Sequence, residues 1–182
     1  DSANPLTSSY LGHPGVVYAQ DFTGTDTSDV NGHGTMVASI ATGDTLLGGS
    51  QYKYRGISPG AGIVSLKVLD GKGHGYASNV IAALDWCVAN RNALNIRVIN
   101  LSLGTLATDS YRSDPLCLAA RRAFDAGMVV VAAAGNAGKD VNGRKVYGGI
   151  HSPGIEPSVI TVGAANSFAS DQRGDDGVTT YS

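Results

Sequence analysis

A β-branched run gives way to small residues and then to an amide in Met128-Val129-Val130-Val131-Ala132-Ala133-Ala134-Gly135-Asn136. A short, nearly continuous apolar run is typical of a strand that is buried on both faces, as in a parallel sheet. Small residues leave a hollow at the strand end, where an amide can donate a hydrogen bond to an oxyanion. We therefore predict a buried strand over Met128–Ala133 followed by a candidate functional residue, Asn136. The alternative is an ordinary turn asparagine.

Three other apolar runs have the same character and predict further strands: Ile63–Leu69, Val98–Leu101 and Val159–Val162. Helical patterns lie between the runs. Strands and helices in alternation predict an α/β fold with right-handed crossovers. In such folds the ligand site lies at the carboxyl ends of the strands.

The helical patterns carry recognisable end signals. Ser78 is predicted to cap the first helix, whose apolar stripe includes Val80, Leu84 and Cys87. The dipeptide Asp114-Pro115 is predicted to cap and open another helix, and Gly127 to end it.

The composition fits one globular domain over residues 1–182, because 42% of the residues are apolar and only 15% are charged. The 13 basic and 15 acidic side chains leave a net charge of -2, which gives no reason to expect nucleic acid or a membrane surface as a partner. The chain begins abruptly at Asp1 and stops abruptly at Ser182, so we expect a domain that is truncated at both ends. Cys87 and Cys117 lie in apolar helical patterns. They are either two small buried hydrophobes or a disulfide between neighbouring helices.

Two more segments offer candidate functional residues. In Asn31-Gly32-His33-Gly34-Thr35-Met36-Val37-Ala38 a histidine lies between two glycines, and the apolar positions after it predict a buried helix that begins at His33. A lone histidine is more often structural. The strand Val98–Leu101 runs out into Ser102-Leu103-Gly104, whose backbone can pair with an extended peptide or form a plain loop.

In this order, the three segments resemble the subtilase family (subtilisin-like serine proteases, peptidase S8). Gly32-His33-Gly34-Thr35 resembles the family's histidine motif, Ala133-Ala134-Gly135-Asn136 its oxyanion-hole motif, and Ser102-Leu103-Gly104 its substrate-binding strand. The resemblance implies a three-layer α/β fold with a mostly parallel central sheet. It also implies a serine endopeptidase that hydrolyses peptide bonds through an Asp/His/Ser triad.

The resemblance also implies a role for each matching residue. His33 would be the general base and Asn136 the side-chain donor of the oxyanion hole. Ser102, Leu103 and Gly104 would line the cleft and bind the substrate backbone. Ala133, Ala134 and Gly135 would form a wall of the first specificity pocket. The small wall residues indicate a preference for large apolar or aromatic side chains. His151, where the family's pocket floor is expected, would narrow or polarise that pocket.

The triad aspartate is assigned to Asp1, because Asp1-Ser2-Ala3 resembles the family's Asp-Ser/Thr-Gly and lies 32 positions before His33. A carboxylate there would hold the histidine tautomer and stabilise the imidazolium. The rivals are Asp21 and Asp26, which fit solvated loop charges, and Asp29, which resembles a residue on the cleft rim.

The nucleophile is missing from the pattern, since the family's Gly-Thr-Ser occurs nowhere in the 182 residues. Ser182 lacks the preceding Gly-Thr. We therefore expect the chain to be inactive alone, and a catalytically dead, subtilase-like binding module is the alternative function. The family further implies protein or peptide substrates, a monomer, secretion, and no cofactor for catalysis. Structural calcium is compatible with the family. The loop 42–55, however, has a single carboxylate, Asp44, and one carboxylate is few ligands for a hard cation. No metal ligand is assigned.

Overall fold

The computed structural model describes residues 15–43 and 56–181. Along the described chain the elements are β1 (Val16–Asp21), α1 (His33–Thr42), β2 (Ile63–Lys67), α2 (Ala77–Asn90), β3 (Val98–Leu101), α3 (Pro115–Asp125), β4 (Val129–Ala133), β5 (Ile160–Val162), β6 (Ala165–Asn166), a short 3-10 helix (Arg173–Asp175) and β7 (Gly177–Val178). The chain forms two compact units, one up to Ala83 and one from Leu84, so that the boundary falls within α2.

In the first unit, β1 and β2 pair in parallel, in a register that runs from Val16 opposite Ile63 to Asp21 opposite Lys67. Helix α1 connects the two strands and begins at His33, as predicted. The prediction that α1 is buried is wrong for two of its apolar residues, because Met36 and Ile40 are 56% and 62% exposed.

In the second unit, β3, β4 and β5 form a parallel sheet in that order. Helix α3 packs against one face of the sheet, where Val130 and Ala132 of β4 are each 1% exposed. The helix residues without any exposed surface are Cys117, Ala119, Ala120 and Ala123. The predicted strands are confirmed within two residues at their ends, and small side chains on α3 bring it close to the sheet.

The opposite face of this sheet is open to solvent. Register places Val98 opposite Val129, Val131 opposite Ile160, and Ala133 opposite Val162, so these residues share one face. Between 45% and 59% of the surface of Val98, Val129, Ile160 and Val162 is exposed. The prediction of strands buried on both faces is therefore wrong for this face, because α3 covers only the other one.

The predicted ends of α3 are confirmed. The carboxylate of Asp114 accepts hydrogen bonds from the backbone N–H groups of Leu116 and Cys117 at 2.8 and 3.0 Å, and Pro115 is the first helical residue. Gly127, with φ +87°, follows the helix end. Ser78 is not a cap, because α2 already begins at Ala77.

Both cysteines are free and buried. This confirms the first of the two predictions, small buried hydrophobes. Burial raises the pKa of each thiol to about 11. None of the helices within residues 15–43 and 56–181 combines the length and the apolar character that a membrane-spanning segment needs. The same residues contain no group of three or more His, Cys, Asp or Glu side chains that could hold a metal ion. Asp44 lies outside them.

Candidate active site

His33 occupies the first position of α1, with an exposed side chain. Gly32 before it has φ +84°, a left-handed conformation that glycine adopts without strain. This turn sets the direction in which the chain enters the helix.

Asp29 caps the same helix from four residues upstream of His33. One carboxylate oxygen accepts the N–H of Gly32 at 2.8 Å, and the other accepts the N–H and hydroxyl of Thr35 at 2.7 and 2.8 Å. Partial burial acts to raise the pKa of Asp29. Hydrogen bonds from Thr35 and Gly32 and the nearby His33 outweigh that effect and hold the pKa below its ordinary value of 3.8. Sequence reasoning placed Asp29 on a rim and missed this role. A threonine in the first helical turn after an aspartate was the available indication.

The other two rivals for the triad aspartate also accept hydrogen bonds from residues close to them in sequence. Asp21 accepts hydrogen bonds from the N–H and hydroxyl of Thr23, and Asp26 accepts them from the N–H and hydroxyl of Ser28. Within residues 15–43 and 56–181, no carboxylate is hydrogen-bonded to the ring of His33. The predicted partner, Asp1, lies outside the described residues.

A cavity of about 330 Å³ lies at the carboxyl ends of β3 and β4 in the second unit. Its walls come from three stretches: Asn100 and Ser102; Val131, Ala132, Ala133, Gly135 and Asn136; and Val162, Gly163 and Ala164. Four of the residues assigned from sequence, Ser102, Ala133, Gly135 and Asn136, thus line one cavity. Leu103, Gly104 and Ala134 do not line it. His33 belongs to the first unit.

The polar side chains of this cavity differ in whether they form hydrogen bonds within the described residues. Asn136 is exposed, and no described residue hydrogen-bonds to its amide, which is therefore available to a ligand. Asn100 donates from its amide to the hydroxyl of Ser102 at 2.9 Å and orients it. Sequence reasoning missed Asn100, although a polar residue within an apolar strand marks it.

Two loops meet beside the cavity. The backbone of Ser152 exchanges two hydrogen bonds with Thr105, at 2.9 and 3.0 Å. The N–H of His151 donates to the carbonyl of Ala134 at 2.9 Å. The segment that follows β3 is thereby tied to the segment that follows β4.

Comparisons with known proteins agree with this architecture. The model of the subtilase family matches residues 15–181. The serine protease AprX of Bacillus subtilis (strain 168) is 37% identical over 166 residues, which cover 87% of this chain and 35% of the relative. The minor extracellular protease Epr of the same organism is 34% identical over 155 residues, 85% of this chain and 20% of the relative.

Among solved structures, sphericase is similar with a TM-score of 0.73 and 33% identity, over 93% of this chain and 54% of that chain. The predicted subtilisin-like α/β fold is thus confirmed. The present chain spans about a third of AprX and about half of sphericase.

Proposed function

The chain belongs to the subtilase family of serine proteases, and from that membership we propose that it is part of the catalytic domain of a serine endopeptidase. The observation that carries the proposal is the cavity at the carboxyl ends of β3 and β4, where the unengaged amide of Asn136 meets Ser102, Ala133 and Gly135. Such a hollow would accept an extended peptide, and the amide of Asn136 would donate a hydrogen bond to an oxyanion that develops there.

In the proposed reaction, a serine hydroxyl attacks the carbonyl carbon of the scissile peptide. His33 takes the hydroxyl proton, and Asn136 donates a hydrogen bond to the resulting oxyanion. The C–N bond then breaks, the amine leaves with the proton from His33, and an acyl-enzyme remains. Water, activated by the same imidazole, hydrolyses the ester. Asp1 would hold the ring in the correct tautomer throughout.

We propose that the serine is not among these 182 residues, because no Gly-Thr-Ser is present. A fluorophosphonate reagent, which labels activated serines, tests this directly. The 182-residue chain should stay unlabelled, whereas the product of the full parent reading frame should be labelled once per molecule and should cleave peptides. The matched control is the parent protein carrying His33→Ala, which should lose labelling.

The possible results separate three functions. Stoichiometric labelling of the short chain would contradict the proposal and indicate an unrecognised nucleophile. A parent protein that folds, binds peptides and stays unlabelled would favour the binding-module alternative. Labelling of the parent protein that disappears in His33→Ala supports both the reaction and the proposed base.

The substrates would be proteins or peptides, cleaved by a monomer without a catalytic cofactor and without a nucleic-acid or membrane partner. Structural calcium is compatible with the family, and no ligand for it is assigned. We propose secretion from the producing cell. The name of the similar extracellular protease Epr supports this localisation. Finding the full parent protein only inside cells would contradict it.

A further inference from the structure

The loop between β1 and α1, residues 22–32, leads directly into His33 at the start of the helix. Three aspartates shape this part of the chain by local contacts. Asp21 accepts hydrogen bonds from residues two and four positions ahead, Asp26 from a residue two ahead, and Asp29 from residues three and six ahead. Contacts of this range close turns but do not fix the loop relative to the strands. A group from elsewhere in the sequence is needed for that.

Lys67, the last residue of β2, supplies such a group. Its side chain is 15% exposed, and its ammonium donates to the hydroxyl of Thr25 at 3.1 Å and to the backbone carbonyl of Asp26 at 2.9 Å. These bonds span 42 and 41 positions of sequence. In the described chain, the loop's other side-chain hydrogen bond to a distant residue runs from Nδ2 of Asn31 to the carbonyl of Gly71. It is 3.5 Å long and therefore weak.

The contact of Lys67 with the loop depends on neutral oxygens more than on an ion pair. The carboxylate of Asp26 lies 3.7 Å from the ammonium, is 71% exposed, and already accepts two hydrogen bonds from Ser28. Those bonds, more than the charge of Lys67, hold the pKa of Asp26 below its ordinary value. An exposed ion pair contributes little. A mostly buried ammonium, by contrast, needs acceptors for the protons that it no longer shares with water, and the hydroxyl and the carbonyl provide them.

The position fixed at Asp26 is passed along the loop to α1. His33 follows Asp26 by seven positions in the sequence. Within that stretch the carboxylate of Asp26 closes a turn at Ser28, and that of Asp29 then binds the N–H groups on both sides of His33, at Gly32 and at the first helical turn. Because these turns follow one another without a gap, a shift of the loop at Asp26 carries to the start of the helix.

Building on the proposed protease function, we propose that Lys67 is a positioning residue for His33, the proposed base. Its ammonium holds the loop 22–32 to β2 through the hydroxyl of Thr25 and the carbonyl of Asp26, and the closed turns carry that position to α1. A catalytic group that is misplaced by about 1 Å can lose about 100-fold in rate. Loss of the ammonium should therefore act on turnover more than on substrate affinity.

The test compares variants of the full parent protein, with active sites counted by fluorophosphonate labelling so that unfolded molecules do not enter kcat. Lys67→Met should lower kcat by about 10-fold or more and leave KM within about 2-fold, because the base moves and the substrate contacts do not. Lys67→Arg keeps a cation near the same oxygens and should recover most of the loss. Asp26→Asn keeps the backbone carbonyl and should stay within about 2-fold of the unaltered protein. Lys145→Met, at an exposed position, is the matched control.

Amide hydrogen exchange addresses the same question without catalysis. In Lys67→Met the amides of Thr25, Ser28 and Gly32 should exchange about 10-fold faster, because the loop is no longer held to β2. An amide of the second unit, such as that of Val130, should keep its rate. Equal acceleration at all of these sites would show a general loss of stability and would overturn the positioning role.

Failure of this inference is distinguishable from failure of the protease function. If the unaltered parent protein is neither labelled nor active on peptides, the protease function fails, and the exchange rates alone decide the role of Lys67. A normal kcat per labelled site in Lys67→Met, or equal damage in Asp26→Asn, overturns the inference and leaves the protease intact. Should Lys67→Met not fold, Thr25→Val removes one of the two acceptors. Unchanged exchange at Ser28 and Gly32 in that variant would also overturn the inference.

Discussion

Asn136 owes its place to the residue before it. Gly135, in a left-handed conformation with φ +97°, turns the chain sharply where β4 ends. The turn leaves the asparagine exposed at the cavity, with no described hydrogen bond holding its amide elsewhere. Because no described group competes for this amide, it can donate a hydrogen bond to charge that develops beside it.

Replacing Asn136 with alanine in the full parent protein tests this residue. Turnover should fall by about 100- to 1,000-fold with little change in KM if Asn136 is the proposed donor, because such a donor acts on the transition state and not on the bound substrate. That magnitude is the one measured for the corresponding donor of subtilisin. Asn142→Ala, in an exposed loop, is the matched control and should be near wild type. A loss expressed mainly in KM would mean that Asn136 binds the ground state.

At the scale of elements, two carboxylates order helix beginnings in different surroundings. Asp29 serves α1 near the surface, and Asp114 serves α3 from a buried position, 7% exposed. Both satisfy N–H groups that a first helical turn leaves unpaired. Only α1 carries a proposed catalytic residue, so its cap bears on function as well as stability.

Lowering the pH should loosen the start of α1. The pKa of Asp29 is held below 3.8 in the folded chain, so its contribution to stability is complete above the unfolded value and is lost as pH falls through the folded one. Amide hydrogen exchange at Gly32 and Thr35, corrected for intrinsic rates, should therefore accelerate below about pH 4. Asp29→Asn should show weaker protection at neutral pH and no such transition. Equal pH profiles for the two proteins would contradict the capping role.

Removing the cap of α3 should lower the stability of the second unit. Asp114→Ala leaves two N–H groups without their acceptor at a buried site, with an expected loss of about 1–2 kcal/mol in the free energy of unfolding by urea. Asp125→Ala is the control, since an exposed acid at the carboxyl end of a helix is not stabilising. Similar losses for the two variants would show that Asp114 does not act as a specific cap.

The sequence allowed prediction of those elements whose own residues determine them. Continuous β-branched runs gave β3 and β4, and an aspartate before a proline gave the start of α3, because these signals are local. β1 was not predicted because the apolar run at the start of Val16–Asp21 is only four residues long, and its pairing with β2 is visible only in the structure. The prediction that Ser78 caps α2 was wrong because the apolar pattern after it does not specify at which residue the helix begins.

The site divides in the same way. Asn136 and Ser102 follow strands, so chain order alone placed them at a strand end. The capping by Asp29 and the contact of His151 with Gly135 depend on how loops fold back, and no periodicity encodes that. Hydrogen bonds and contacts between loops could therefore not be predicted from the sequence.

At the scale of the whole molecule, the two faces of the β3–β4–β5 sheet contrast. One face is sealed by α3, and the other exposes Val98, Val129, Ile160 and Val162. Exposed apolar patches of this kind mark surfaces that contact another polypeptide, a membrane or a ligand. Sphericase carries about as much chain again as the present residues match. We therefore expect the parent protein to cover this face with its own polypeptide.

Two valines that are neighbours in β4 test this expectation. Val130, 1% exposed, faces α3, whereas Val129, 45% exposed, faces away. In the 182-residue chain Val130→Thr should lower the free energy of unfolding by about 1–3 kcal/mol, because a hydroxyl is buried without a partner. Val129→Thr should change it by less than about 0.5 kcal/mol, as exposed substitutions do. In the full parent protein, where the face would be covered, both substitutions should be costly in urea unfolding. If Val129→Thr stays neutral in the parent protein while Val130→Thr destabilises it, the expectation is wrong. The face is then left open by the parent polypeptide itself.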